Sequence, residues 1–264
     1  MKLSIIIVNF NTSEDLGNCV ESVYKHKPNF DFEIIVVNNS SDPKESEILK
    51  SLFGENKQIK LIDVENRGYG AANNAGAKIA TGEYLLMLNP DTLVIDDSID
   101  TMIELLEKHD EIGALSPLLY QVDGKTLQKN FYGNFQSLLS VTFRRWKRRK
   151  IDLKKEIIYS DIISGAAMLI KRDLFEKLNG FDEQFFMYLE DDDLCFRIKQ
   201  LGLRCAVYTK AKIIHLEGTS QDNKRRKNIY YESQTKYWYK HNGTLATTMM
   251  RILRYPFLLL KKDK

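Results

Sequence analysis

Apolar and polar positions follow one another in blocks along this chain rather than residue by residue. Near the start, "LSIIIVNF" (3–10), "FEIIVVNNSSD" (32–42), "IKLIDVEN" (59–66) and "EYLLMLNPD" (83–91) each run apolar and then turn polar. The first two runs predict strands buried on both faces, and the other two predict a third and a fourth strand. The intervening stretches have a different period. "NTSEDLGNCVESVYKH" puts Leu16, Val20 and Val23 at helical spacing, with Thr12 or Ser13 as the N-cap. "ESEILKSLFG" reads as a helix closed by Gly54, and "GAANNAGAKIA" as a helix of small residues. Strands alternating with helices predict an α/β fold with a mainly parallel sheet and right-handed crossovers. Ligands of such sheets bind beyond the carboxyl ends of the strands. Here those ends are polar: Asn9-Phe10-Asn11, Asn38-Asn39-Ser40, Glu65-Asn66-Arg67 and Asn89-Pro90-Asp91.

Further along, "DDSIDTMIELLEKHDEIG" predicts an amphipathic helix with Ile99, Ile103 and Leu106 on one face. Residues 116–160 have weak patterning. The pattern then returns as a strand, a short helix, a polar loop, a helix from Glu190 to Gly202 and two strand-like pieces. From Gln221 the chain is basic and helical. The expected organisation is one domain over 1–220, with halves 1–115 and 116–220, and a tail over 221–264.

Composition narrows the classes. A 43% hydrophobic chain of 264 residues carries a sizeable core. Its net charge of +3 gives no overall argument for a nucleic-acid partner. Cys19, Cys195 and Cys205 are odd in number and fit no metal spacing, so free thiols in a reducing compartment are expected. "LSIIIVNF" is too short for a secretory core, and no run reaches spanning length, so a cytoplasmic location is expected.

Four groups of residues carry candidate chemistry, each with a plainer alternative. Asn89-Pro90-Asp91 is either a strand-end turn or a hard-cation site in which Asp91 shares a metal with phosphates. "NRGYGAANNAG" (66–76) offers either close backbone approach to a ligand or tight helix–sheet packing. "FDEQFFMYLEDDDLCFR" (181–197) crowds Asp182, Glu183, Glu190, Asp191, Asp192 and Asp193 among aromatic residues. Partly buried carboxylates there suit a general base, whereas solvated ones merely complement a helix dipole. His215 follows an apolar strand and becomes a ligand candidate once a metal is expected nearby.

In this order, "SIIIVNFN", "EIIVVNNSSD", "ENRGYGAANNAG", "LLMLNPDT", "SGAAMLIKR", "GFDEQFFMYLEDDDLCFR" and "HLEGTS" resemble family 2 glycosyltransferases of the GT-A fold, in the rhamnosyltransferase-like branch, over roughly residues 3 to 220. The resemblance implies a GT-A, Rossmann-like mixed sheet flanked by helices. It places Val8, Asn9, Asn11, Asn38, Asn66, Asn74, Asn89 and Pro90 around the nucleotide. It makes Asp91 and His215 ligands of Mn²⁺ or Mg²⁺. Gly165 and Ala166 would line the donor sugar, and Glu190 and Asp192 would flank Asp191, the catalytic base. Two departures stand out: Asn38 where the family usually has Asp, and Asn89 where the metal motif usually begins with Asp.

The implied reaction moves a sugar, with inversion, from a nucleotide diphosphate donor to a saccharide or lipid-linked acceptor in bacterial surface polysaccharide synthesis. dTDP-rhamnose is the first expectation for the donor, and a UDP-hexose or galactofuranose donor the second. A sugar nucleotidyltransferase fits less well, because "VNFNTSEDLG" lacks a Gly-rich loop with a basic residue. A non-catalytic nucleotide-sugar-binding homologue would not need Asp91, Asp191 and His215 together. Two segments suggest an anionic membrane surface: "FRRWKRRK" (143–150), and 245–262. On a helical wheel Leu245, Met249, Ile252, Leu253, Pro256 and Leu260 share one side, opposite Arg251 and Arg254. That face serves a membrane, the protein's own core or another subunit.

Overall fold

The computed structural model describes residues 1–129, 131–143, 151–216 and 223–259. The chain runs β1 (Leu3–Asn9), α1 (Ser13–Lys25), β2 (Phe32–Asn38), α2 (Pro43–Phe53), β3 (Ile59–Asp63), α3 (Tyr69–Ile79), β4 (Tyr84–Leu88), β5 (Thr92–Val94) and α4 (Ser98–Lys108). It continues through β6 (Ile112–Tyr120), β7 (Tyr132–Gly133), α5 (Leu138–Phe143), β8 (Ile157–Ser160), β9 (Ile162–Ile163), β10 (Ala167–Lys171), α6 (Arg172–Lys177), α7 (Glu190–Gln200), β11 (Arg204–His215) and α8 (Asn223–Leu259).

Among the described residues one sheet has the order β3-β2-β1-β4-β10-β6-β11-β5, with β8 beside the first part of β11. The first four strands are parallel, as their spacing predicts. β10 runs antiparallel to both its neighbours, so the sheet is mixed beyond β4. Every residue of β1, β2 and β4 is buried, which is why their sequences are continuously apolar. α3 packs close on β1: a Cβ at Gly76 would lie 2.7 Å from Ile6 Cγ2. The glycine in "NNAG" therefore serves helix–sheet packing. Cys19, Cys195 and Cys205 are free and buried, as expected.

The weakly patterned region hides the main departure from the sequence reading. β6 is a central, nearly fully buried strand, although its "IGALSPLLY" carries Pro117. Pro117 sits opposite Tyr208, where the β11 register jumps to Lys212. A residue without an N–H costs little where the ladder is already interrupted. The same bulge divides "RCAVYTKAKIIH" into the two pieces seen in the sequence, but they form one strand.

α8 is broken at Gly243 (φ 75°, ψ 178°). Its first part closes a second core of Phe185, Leu189, Tyr237, Trp238 and Met250 against the 185–189 loop and α5. After the break the inward positions are Ala246, Thr247 and Met250. Leu245 and Ile252, from the expected apolar face, are 78% and 65% exposed, so that face does not cap the core. Residues 144–150 of the basic segment, and 260–262 of the tail, lie outside the described residues. Among the described residues no helix is long and apolar enough to cross a membrane.

Candidate active site

Register aligns the strand ends. Asn9 pairs with Asn38 across β1–β2, and Asn38 with Asp63 across β2–β3. The amides at these ends are tied together. Asn9 Nδ2 donates to Glu45 Oε1 at 2.9 Å, and its Oδ1 accepts from Thr12 N and Oγ1. Asn9 and the buried Glu45, not a side chain of Thr12 or Ser13, thus cap α1. Asn38 Nδ2 donates to Asp63 Oδ1 at 2.7 Å, while its Oδ1 accepts from Ser40 N. With Val8 they form a buried floor. Asn11, in a left-handed turn (φ 55°), stands exposed at the rim and accepts from Ser40 Oγ. Asn66 accepts from Asn39 Nδ2 and Gly68 N.

Asn74 is a correction to its expected place at the nucleotide. Its Oδ1 accepts from Phe181 N, and its Nδ2 donates to Phe181 O and Glu183 Oε1. Both ends of the amide clamp α3 to the 181–183 loop, which leaves no N–H for a ligand. One group missed in sequence is Asp63: the carboxylate that position 38 lacks stands one strand over, exposed and bonded to Asn38 and Ser46. Its alternating neighbours in "IKLIDVEN" gave it the look of an ordinary solvated residue.

The β5–β11 ladder pairs Thr92 with His215, so residues far apart in sequence meet. His215 Nε2 lies 3.3 Å from Asp91 Oδ1, and Leu216 N donates to Asp91 O. His215 Nδ1 is 2.9 Å from Gln128 Oε1, an acceptor, while Gln128 Nε2 donates to His215 O. This arrangement assigns the ring proton to Nδ1 and turns Nε2 toward the carboxylate. In the neutral ring, Nε2 and the carboxylate are two acceptors able to share a cation. Asn89 Oδ1, two residues before Asp91, is buried with no partner among the described residues. An imidazole nitrogen, a carboxylate and an unpaired amide oxygen form a donor set that fits Mn²⁺ or Mg²⁺ sharing its shell with phosphate oxygens. Gln128 was missed because it lies in the weakly patterned 116–160 region.

Across the crevice, α7 begins with Glu190, Asp191, Asp192 and Asp193. Asp191 Oδ2 accepts from Gly165 N at 3.0 Å, and Oδ1 from Asp192 N. Gly165 O accepts from the Tyr69 hydroxyl, and Ala166 O accepts from Asn89 N. The 165–166 peptides therefore link the base candidate to the metal strand. The buried Tyr69 phenol feels Glu190, Asp191 and Asp91 together. Burial raises the Asp191 carboxyl above its ordinary value. Glu190 is raised further by burial and by Asp191, and its Oε2 has no partner. Asp192 is raised by burial, Asp191 and Asp193.

Asp193 behaves differently. Burial pushes it up, but His241, Arg197 and Lys240 outweigh burial and hold it below the ordinary range. Their nitrogens lie 2.6–2.7 Å from its oxygens. A carboxylate neutralised on that scale is no base. The ambiguity among three consecutive aspartates thus narrows to Asp191 and Asp192.

The sequence profile of Glycosyl transferase family 2 matches residues 4–178. The chain belongs to glycosyltransferase family 2. The profile described as the N-terminal domain of galactosyltransferase matches 147–219. Rhamnosyltransferase WbbL of Escherichia coli (strain K12) is 30% identical over 80% of this chain and 82% of its own length. O-antigen biosynthesis protein RfbC of Myxococcus xanthus is 27% identical over 83% of this chain, which spans only 18% of that protein. N-acetylglucosaminyl-diphospho-decaprenol L-rhamnosyltransferase of Mycobacterium tuberculosis (strain ATCC 25618 / H37Rv) is 23% identical over 72% of this chain and 69% of its own. Among solved structures, GalNAc-T7 with UDP, GalNAc and Mn²⁺ superposes with a TM-score of 0.67 at 19% identity, over 90% of this chain and 50% of that one. That likeness establishes the expected GT-A fold.

In this family 2 protein the position of Asp191 depends on α8. Tyr188 (φ 69°) and Leu189 (φ 71°), directly before Glu190, are both left-handed without being glycine. Such residues cost about 1–2 kcal/mol each, so packing must hold them. Leu189 is buried in the second core, and the Tyr188 ring meets Tyr230. Ser233 Oγ donates to Met187 O, Lys236 Nζ to Gln184 O, and Lys240 bridges Asp182 and Asp193 at 2.6 Å each. On the other side Tyr69 N donates to Phe186 O. A Cβ at Gly68 (φ 104°) would collide with that same carbonyl, so only glycine fits there.

Proposed function

We propose that this protein transfers a sugar with inversion from a nucleotide diphosphate sugar, rhamnose from dTDP-rhamnose first, to a lipid-linked saccharide acceptor of surface polysaccharide synthesis. The observation that carries the reading is the crevice itself. A cation-seeking Asp91–His215 pair stands on one side, and a burial-raised Asp191 on the other, linked through Asn89, Ala166 and Gly165. The rhamnosyltransferase names of two relatives support the choice of sugar, and the second of those names supports a diphospho-lipid acceptor.

The strand-end floor at Val8, Asn9 and Asn38 shapes the base pocket, with Asn11, Asp63 and Asn66 at its rim. Asp91 and His215, with Asn89 beside them, hold Mn²⁺ or Mg²⁺, which when bound offsets charge on the departing diphosphate. Gly165 and Ala166 line the sugar. Asp191 takes the proton of the acceptor hydroxyl, whose oxygen attacks the anomeric carbon as the nucleoside diphosphate leaves. A carboxyl raised toward neutral pH holds that proton better than an ordinary one. The Gly165 N–H keeps the carboxylate aimed. Glu190 and Asp192 flank it on the acceptor side. The exposed row Leu245, Met249 and Ile252 sits at a membrane surface, where a lipid-linked acceptor resides.

A thermal-shift screen of dTDP-rhamnose, UDP-glucose, UDP-N-acetylglucosamine and UDP-galactofuranose, with and without Mn²⁺, tests the donor. dTDP-rhamnose should raise the midpoint in a concentration-dependent way only with Mn²⁺. A shift with a UDP-sugar alone moves the protein to another donor of the same fold, and a metal-independent shift removes the role of Asp91 and His215.

A further inference from the structure

One guanidinium is half-buried without a counter-charge. Arg254, on the second part of α8, folds back on the first: Nη1 donates to Tyr231 O and Gln234 Oε1, and Nη2 to Thr235 Oγ1. Its carbon lies 4.8 Å from the Tyr231 ring centroid. All these partners are neutral, and among the described residues it forms no ion pair. Its Nε–H is buried with no acceptor among the described residues. Burial lowers its pKa, yet a guanidinium stays charged throughout the physiological range.

A second unpaired donor stands in the same network. Gln136 is 8% exposed. Its Oε1 accepts from Gln234 Nε2 and Trp238 Nε1, and its Nε2, which faces the Tyr230 phenol, makes no hydrogen bond of ordinary length among the described residues. Tyr230 connects this cluster to the acidic start of α7: burial raises its phenol, which also feels Asp192 and Arg254 and interacts with Gln136. Among the described residues the Arg254 Nε–H and its positive charge are thus left over, beside a Gln136 Nε2 that meets only the Tyr230 phenol, while the Gln136 and Gln234 amide oxygens are spent. A staple between the two parts of α8 needs the hydrogen bonds but not the charge. A neutral saccharide hydroxyl brings a donor as well as an acceptor and matches such a cluster poorly. A phosphate brings only acceptor oxygens and negative charge, and an arginine fork matches it.

We propose that Arg254 and Gln136, framed by Tyr230 and Tyr231, form a subsite for a phosphate of the acceptor's diphosphate. This rests on the lipid-diphosphate acceptor proposed above.

The test uses the full chain and binding rather than turnover. Calorimetry compares undecyl diphosphate with undecyl maltoside on wild type, Arg254→Met and Arg254→Lys. The diphosphate should bind the wild type, weaken ~10–100-fold in Arg254→Met and lie between the two in Arg254→Lys, as expected when a charge-assisted fork is lost. The maltoside should bind all three alike. No loss of diphosphate affinity in Arg254→Met, or equal loss for both ligands, overturns the subsite. Sedimentation with phosphatidylglycerol vesicles separates the sources of phosphate. If Arg254→Met loses vesicle binding but keeps its diphosphate affinity, the site serves a headgroup and the acceptor assignment falls. If the binding pattern holds but N-acetylglucosaminyl-diphospho-undecane accepts no sugar, the proposed reaction fails and the phosphate subsite stands.

Discussion

The two walls of the crevice are built by opposite means. On the donor side, Asn9, Asn38 and Asp63 lie side by side because three parallel strands are in register, and each amide is satisfied by a neighbour one strand or one turn away. On the acceptor side, Asp191 is aimed by a helix start that leaves two left-handed residues to be held by α8, some fifty positions later in the chain. The first wall is stable by local rule and strand pairing. The second is strained, and depends on Lys240, His241 and the second core. In the proposed reaction the donor needs a rigid floor, whereas taking an acceptor's proton needs carboxylates such as Asp191 and Asp192 whose pKa values burial raises, unlike Asp193, which Arg197 and Lys240 hold low.

The sharpest test of this contrast is Asp191→Asn. It should cut turnover ~10³-fold, the usual scale for a lost general base, with donor affinity kept within about twofold. Steady-state rates and calorimetry check both halves. Survival of turnover would hand the role to Asp192, since Asp193 is held low by its hydrogen bond to His241 and the charges of Arg197 and Lys240.

Next in size is Gln128→Leu. Freeing the His215 ring should raise the Mn²⁺ concentration needed for nucleotide binding by ~10–100-fold, the usual scale for an outer partner of a metal ligand. Metal-saturated turnover should recover, because the acceptor wall is untouched. An unchanged Mn²⁺ titration would mean that Gln128 does not orient His215.

Lys240→Met attacks the brace. A ~10-fold drop in kcat with unchanged donor KM is expected if only the aim of α7 suffers, an effect of the size that small misplacements produce. A parallel rise in donor KM would show that the walls are not separate. The same variant has a pH signature. Asp193 is held below its ordinary value of 3.8, so its contribution to stability is complete above that value and is lost as pH falls through the lower folded-state value. Trp238 fluorescence, in a Trp146→Phe background, should therefore hold until below pH 3.8 in the parent. The transition should begin at higher pH once Lys240 is gone.

The smallest effect belongs to Asp63→Asn on the donor wall. It should weaken nucleotide binding only a few-fold, as for a hydrogen bond at an exposed site, with no change in acid behaviour. A large loss there would make Asp63, rather than Asn38, the principal polar contact to the base.

Much of this was legible in the chain itself. β1 to β4 follow from runs of buried aliphatic residues, and their polar ends marked the crevice before any coordinates. Asp91, His215 and Asp191 stood out as chemistry-bearing types at the ends of apolar segments. β6 was hidden, because Pro117 and the absence of alternation disguised a central strand that tolerates proline only opposite a bulge. Gln128 and Asp63 were hidden because each is an ordinary polar residue until a partner from another strand arrives. Asn74 shows the converse: an asparagine in a helix of small residues suits a ligand and a clamp equally well, and its bonds to the 181–183 loop come only with the fold.

The sequence by itself determined the parallel half, its polar strand ends and the short roster of acids and histidine, because burial on both faces demands apolar runs and leaves polar residues only where strands stop. Tertiary structure alone decided which of those residues act together. The β5–β11 ladder brings His215 to Asp91, the cations of α7 and α8 remove Asp193 from contention, and α8 holds the left-handed turn that aims Asp191. These are contacts between residues distant in the chain, and a pattern read along the chain carries no record of them.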